Sequence, residues 1–279
     1  MRRRRVITST LRIVLLSLGA LIMITPFLYM VSTSFKTSTY VFTNPPQFIP
    51  DPATLGNYEQ AFATPYFGIN FLNSLIVAVI STAISLLVSS MMAYAFARFT
   101  FRFKETIFRV LLLGLMIPAI MLIIPQFILA KNLGILDSLV GLIVFYVAGS
   151  LSLNTFLLRG FFESIPAELD QAMQVDGAGP WRRYWRLAIP LAKPGLATAT
   201  IFTFLACWDE FTLALTLTTN PENQTLPIAI KLFAATGNNA VQWGLVFAAS
   251  VIAVVPVIVV FLVFQRYFVQ GLTTGAIKG

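Results

Sequence analysis

The sequence contains no histidine and a single cysteine, Cys207, set in an apolar run. Without histidine there is no histidine-based catalytic triad, and without a Cys/His cluster there is no ligand set for structural zinc. A lone cysteine excludes a disulfide within the chain, and Cys207 reads as a small packing residue, because apolar surroundings suppress the thiolate. Charge is scarce too: Asp, Glu, Lys and Arg make up 11% of the 279 residues. A soluble domain carries about 25%, so this chain cannot cover a water-facing surface. No G-x-x-x-x-G-K-[ST] phosphate loop occurs, so the chain is not itself an ATPase of that type. The net charge of +8 would suit nucleic acid, but its distribution follows membrane orientation instead.

What the chain has in excess is apolar length: 57% of its residues are hydrophobic. Runs of about 20 nearly uncharged apolar residues cross a bilayer core as helices. Helices are required because lipid offers the backbone no hydrogen-bond partners. Six such runs predict an all-α membrane protein with spans at about 11–33, 70–97, 107–130, 139–162, 195–218 and 243–267. No soluble domain and no short repeat interrupts them. The first run follows "MRRRR" and could be taken for a cleaved signal peptide. It exceeds the usual apolar core of roughly 7–15 residues and no A-x-A-like site follows, so a retained helix is expected. Pro118 and Pro125, inside the third run, are expected to kink it or tuck it against neighbours.

Orientation follows from the basic residues. With the N-terminus inside, 16 of the 19 Lys and Arg fall in cytoplasmic segments, leaving Lys36, Lys131 and Lys231 outside. Both termini and the segment 163–193 are then cytoplasmic. The outer segment 34–69, with "NPPQFIPDP", reads as an extended surface loop.

The segment 163–193 is the one long polar insertion, and it reads as two short helices. Pro166 suits a helix start, Ala167–Val175 has no breaker, and Glu168 and Asp170 favour its first turn. "DGAGP" stops it, with Gly177 suited to a left-handed C-terminal cap. Pro180 can start a second helix, Trp181–Ala188, which Pro190 and Pro194 should end. There Arg182, Arg183 and Arg186 alternate with Trp181, Tyr184 and Trp185, a pattern suited to lipid headgroups or to anchoring the fifth span. The first helix places Leu169, Ala172 and Met173 on one small apolar face, which suits docking in a cleft of a soluble partner, though an ordinary loop is the plainer alternative.

This insertion resembles the EAA loop of the integral membrane subunits of binding-protein-dependent ABC importers, whose pattern is E-A-A, three residues, G, nine residues, I-x-L-P. Here it reads Gln171-Ala172-Met173, then Gly177, then Leu187-x-Ile189-Pro190, with Asp176 also matching. The stretches "NSLIVAVISTAISLLVSSMMAYAFARFTFRFK", "LGILDSLVGLI", "WDEFTLAL", "TLPIAI" and "QRYFVQGLTTGAIKG" resemble the carbohydrate-uptake branch, specifically the maltose-type second permease. The resemblance implies a non-catalytic permease of a sugar or polyol-like solute in a bacterial or archaeal cytoplasmic membrane. It implies as partners a second permease, two cytoplasmic ATP-binding subunits that carry ATP and Mg, and an extracytoplasmic solute-binding protein meeting 34–69 and 219–242. No nucleic acid is implied. The coupling residues would be Glu168, Asp170, Gln171, Ala172, Met173, Asp176 and Gly177. Gln171 replaces the family glutamate and offers only a neutral hydrogen bond, leaving Glu168 or Asp170 to supply charge. Gly271, Thr273, Thr274 and Gly275 would form a C-terminal contact with the ATPase.

Within the fifth run, Asp209 and Glu210 are exceptional. A helix from Gly195 puts them roughly 20 Å along its axis, where each acid costs about 3 kcal/mol unless it faces protein or water. As helix neighbours they would point about 100° apart. One is expected to line the translocation path or a subunit interface with Trp208; a structural hydrogen-bond cluster is the alternative. An ion-coupled transporter or channel would need a relay of intramembrane charge, and only this acidic pair is present. A membrane enzyme would need carboxylates facing each other across a bond, which helix neighbours do not do.

Overall fold

The computed structural model describes residues 2–37, 41, 47–235 and 241–276, with side chains described for 10–37, 41, 47–234 and 241–267. Among these residues extended pairing is confined to one antiparallel bridge between Lys36 and Ala53; the regular structure is helical.

One compact unit comprises residues 1–68 and 229–255. From Thr10 onward helix α1 (Arg2–Ser34) is mainly apolar and exposed, with Leu16 and Met23 exposed by 74% and 77%. Such a surface is stable only in lipid or against another apolar helix. Beyond it Lys36 is buried, its Nζ donating to the Gln47 carbonyl and lying 4.6 Å from the Tyr29 ring centroid. Helix α2 (Gly56–Ala63) ties this corner down: Asn57 Nδ2 donates to the carbonyls of Ser34 and Lys36 at 2.8 and 2.7 Å. The expectation of an extended surface loop over 34–69 is therefore corrected at Gly56–Ala63, which form α2, and Asn57 anchors that helix to carbonyls at the end of α1. Residues 38–40 and 42–46, including most of "NPP", lie outside the described residues.

The second unit comprises residues 69–228 and 256–279. It holds α3 (Phe67–Arg98), α4 (Lys104–Leu113), α5 (Ile123–Asn132), α6 (Leu139–Glu163), α7 (Ala167–Val175), α8 (Pro180–Arg183), α9 (Ile189–Leu191), α10 (Lys193–Trp208) and α11 (Thr212–Leu217), with α3 beginning two residues earlier. Helices α12 (Leu226–Ala235) and α13 (Trp243–Ala276) complete the chain. The expected outer segment 219–242 thus carries α12, and its residues 236–240 lie outside the described ones.

Among the described residues, four stretches are long and apolar enough to cross a membrane unbroken: Thr10–Ser34, Phe67–Arg98, Leu139–Glu163 and Trp243–Tyr267. The third expected span is not one rod. Lys104–Met116 and Ala119–Asn132 meet at 94°. The cause is Pro118, which lacks an N–H and forces Ile117 into extended backbone (φ −87°, ψ 118°). Pro125 breaks nothing, because it sits in the first turn of α5, where no intrahelical N–H bond is owed. The fifth expected span is also interrupted, ending as α10 at Trp208 and resuming as α11 at Thr212.

Helices α6 and α10 pack closely because α10 presents small residues. A Cβ at Gly195 would lie 2.4 Å from the Phe161 ring. Polar glue lies deeper: Asn154 Nδ2 donates to Thr203 Oγ1 at 2.8 Å and to Ser85 Oγ at 3.1 Å, and Ser85 meets Ser150 at 2.7 Å. These bonds join α3, α6 and α10, as polar side chains do between membrane helices.

The turn before α6 is held by Asp137, at φ 52°. Its Oδ1 accepts the backbone N–H groups of Thr219 and Asn220 at 2.9 and 3.0 Å, and its own N–H donates to Leu217 O at 2.8 Å. The Asn220 and Thr219 amides hold the carboxyl below the usual aspartate range. A depressed folded pKa stabilises above the unfolded value and is lost as pH falls through the folded one. Amide exchange at Thr219 and Asn220 should therefore be slow at neutral pH and speed up only below the ordinary aspartate range. In Asp137→Ala it should be fast throughout, and protection unchanged in that variant would refute the role.

Candidate functional site

Helix α7 starts after Pro166, whose ψ of 133° marks the entry, and carries Glu168 and Asp170 in its first turn. It ends on a Schellman motif: Ala178 N–H donates to Met173 O at 2.9 Å, Gly177 N–H to Gln174 O at 3.0 Å, and Gly177 takes φ +76°. Pro180 then opens α8 at its first position.

From here the structure departs from expectation. The second helix does not end at Ala188. Tyr184–Ala188 form a π turn, the helix continues through Pro190 to Leu191, and the bend of 77° follows at Ala192. A wider turn solves the problem Pro190 poses. Its ring would clash with the Arg186 carbonyl in a regular helix, and Ile189 N–H instead reaches Tyr184 O, five residues back.

The arginines divide. Arg182 and Arg186 are exposed, as a headgroup-facing helix requires, but Arg183 is 9% exposed. Its guanidinium donates to Asp170 Oδ2 at 2.7 Å, joining α8 to α7. Asp170 is thus drawn inside the insertion rather than presented outward, which leaves Glu168 as the exposed acid beside Gln171. Gln171, Ala172, Asp176 and Leu169 are exposed and Met173 is half-buried. Val175, which sequence reading passed over, is 86% exposed. It follows Gln171 by one helical turn, a spacing that could have identified it.

The base of the insertion is an aromatic core. Tyr184 and Ser90 of α3 share a 2.7 Å hydrogen bond. Tyr94 packs on Tyr184 and Phe162 with ring centroids 5.3 and 5.8 Å apart. Arg98 donates to Ile165 O at 2.7 Å, and Arg159 bridges Glu105 and Glu163 at 2.8 and 2.7 Å. Several basic residues that signalled the inner face are therefore also structural clips.

The acidic pair is corrected as well. Asp209 and Glu210 are not neighbours on one helix, because α10 stops at Trp208 and Asp209 is its C-terminal cap. Asp209 is exposed. Glu210 caps α11: Oε1 accepts Leu213 N–H at 2.7 Å, Oε2 accepts Ala214 N–H at 2.9 Å, and Tyr146 Oη donates to Oε2 at 2.7 Å. Glu210 thus forms a hydrogen-bond cluster within the chain and also lines a cavity. Trp208 is 3% exposed, stacked on Phe204 at 5.7 Å and edge-on to Phe71 at 5.8 Å, so within this chain it packs in the core. Beside Glu210 lies a cavity of about 500 Å³, lined among others by Gln126, Phe145, Tyr146, Asn154 and Phe202.

Cys207 is buried and unpaired. Gly271, Thr273, Thr274 and Gly275 fall within α13, but their side chains lie outside the described residues.

Residues 85–274 match the family described as the binding-protein-dependent transport system inner membrane component. The diacetylchitobiose uptake system permease protein of Streptomyces coelicolor is 36% identical, the match covering 95% of this chain and 87% of that protein. The trehalose/maltose transport system permease protein of Thermococcus litoralis is 34% identical over 97% of this chain and 99% of its own. A crystal structure of a bacterial ABC transporter that imports alginate superposes with a TM-score of 0.81 at 27% identity, covering 94% of this chain and 96% of its own. With helices fit for lipid and a helical insertion bearing the motif, the chain belongs to the inner membrane components of binding-protein-dependent ABC transport systems.

Proposed function

We propose that this chain is one permease of an ATP-driven importer that moves a carbohydrate or related polyol-like solute across the cytoplasmic membrane. The observation that carries this reading is the exposed face of α7. Leu169, Ala172 and Val175 are presented beside Glu168, Gln171 and Asp176 on a base clamped to α3 and α6. A short helix with apolar knobs and a polar rim fits a cleft in a soluble subunit, and a rigid base passes on displacement that a flexible loop would absorb. The soluble subunits are a pair of ATPases that hold ATP and Mg. Gly271, Thr273, Thr274 and Gly275 provide a second contact with them. A second permease pairs with this one, and a solute-binding protein docks on the opposite face, at 34–69 and 219–242. Both termini and the insertion face the cytoplasm, the bent third run and the interrupted fifth run complete six crossings with the four unbroken helices, and the chain performs no catalysis of its own.

The carbohydrate class rests on the cargo named in its relatives: diacetylchitobiose, trehalose/maltose and the glycerol conjugate sulfoquinovosyl glycerol. The test is uptake by proteoliposomes holding the assembled complex, with ATP on the ATPase side and diacetylchitobiose, trehalose or maltose offered with the binding protein. ATP-dependent accumulation of one of them is expected. Accumulation driven by an ion gradient without ATP would overturn the reading.

A further inference from the structure

Resting on the function proposed above, we propose that the Asp170–Arg183 pair is a transmission latch: it makes α7 and α8 move as one body, so that a push on α7 reaches α3 through Tyr184 and Ser90. The insertion's two helices are joined covalently only through Asp176–Gly179, a turn with one glycine in the left-handed region. A backbone hinge of that kind transmits little torque by itself. The side chains close it: the Arg183 guanidinium meets Asp170 at 2.7 Å and lies 3.5 Å from the Gln174 amide oxygen, giving a triangle across the turn. Both ionic side chains are largely withdrawn from water, at 11% and 15% exposure.

Burial distinguishes this pair from surface ion pairs, which are worth little. Removing one partner of a buried pair strands the other charge, whereas exchanging the partners keeps the pair. The next residue continues the path. Tyr184 is 2% exposed and shares its hydrogen bond with Ser90, and its ring packs on Tyr94, one helical turn further along α3. Asp170, Arg183 and Arg98 all lie close enough to the Tyr94 hydroxyl to act on it electrostatically. The latch and the aromatic base therefore form one continuous contact from α7 to α3. Arg183 and Asp170 act through other residues and are positioning residues, touching neither solute nor nucleotide.

The experiment measures solute moved per ATP hydrolysed by the complete complex in proteoliposomes, for Asp170→Asn, Arg183→Met, and the exchanged pair Asp170→Arg with Arg183→Asp. Each single variant should lower that ratio about tenfold, the size of an ordinary coupling energy, while ATP hydrolysis continues; the exchanged pair should recover a substantial part. A merely structural role would lower the amount of assembled complex and leave the ratio per complex unchanged, and that result overturns the latch. Equal loss in the exchanged pair and the single variants also overturns it. Failure of the wild-type complex to accumulate carbohydrate at all would instead refute the function on which the latch rests.

Discussion

Glu210→Ala is expected to cut the recovery of folded, assembled protein severalfold and to lower its unfolding midpoint in detergent by more than any other single truncation in α10 and α11. The carboxylate is the acceptor for three donors at once: two backbone N–H groups of α11 and the Tyr146 hydroxyl. A donor stranded away from water costs about 1–3 kcal/mol; Ala214 is fully buried while Tyr146 and Leu213 border the cavity, so the loss amounts to a few kcal/mol. Glu210→Gln keeps an amide oxygen as acceptor but gives up the charge and one acceptor site, and should fall in between. Tyr146→Phe removes one bond only and should be mildest. Size-exclusion recovery and thermal melts of the three variants check the order. An alanine variant that assembles and melts like wild type would refute the capping assignment.

The second large effect concerns Gly177. At φ +76° a valine is strained, because left-handed backbone costs roughly 1–2 kcal/mol for ordinary L residues and β-branched ones fit it worst. The chain can escape the strain only by opening the two bonds that close α7, Ala178 to Met173 and Gly177 to Gln174. Either outcome displaces Val175 and Asp176, which belong to the exposed face. Uptake per assembled complex should drop about tenfold or more, with bilayer insertion unchanged. Gly177→Asn should be milder, since asparagine tolerates this conformation. Asp176→Lys, which inverts an exposed charge without touching the backbone, should also uncouple. Uptake assays alongside co-purification with the ATPase check all three; undiminished uptake in Gly177→Val would sink the idea that this cap matters to coupling.

These two sites differ in how far they could be read in advance. At Gly177 the stop, the cap type and the helix limits Ala167–Val175 were legible, because capping is a local matter of a few residues and their backbone preferences. At Glu210 only the anomaly was legible: a carboxylate in an apolar run must have a partner. Two partners, the Leu213 and Ala214 amides, are only three and four residues on, but the third, Tyr146, is 64 residues away, and no local pattern encodes that distance. The same holds for Arg183. Its spacing placed it on a basic, aromatic helix with Arg182 and Arg186, but burial against Asp170 arises from the fold of the turn between them. Pro190 shows a local rule yielding to packing, since the helix accommodates it by widening rather than stopping.

By itself, the sequence determined that the chain is a helical membrane protein, where its apolar runs lie, and that 163–193 is a two-helix polar insertion with a family motif. Those properties follow from apolar length, from the backbone's need for internal hydrogen bonds, and from short-range capping. The tertiary structure decided which charges are presented and which are consumed, and that the third and fifth apolar runs are broken rather than straight. The reason is physical: partner choice and burial depend on contacts between residues far apart in the chain, and composition and periodicity carry no record of those distances.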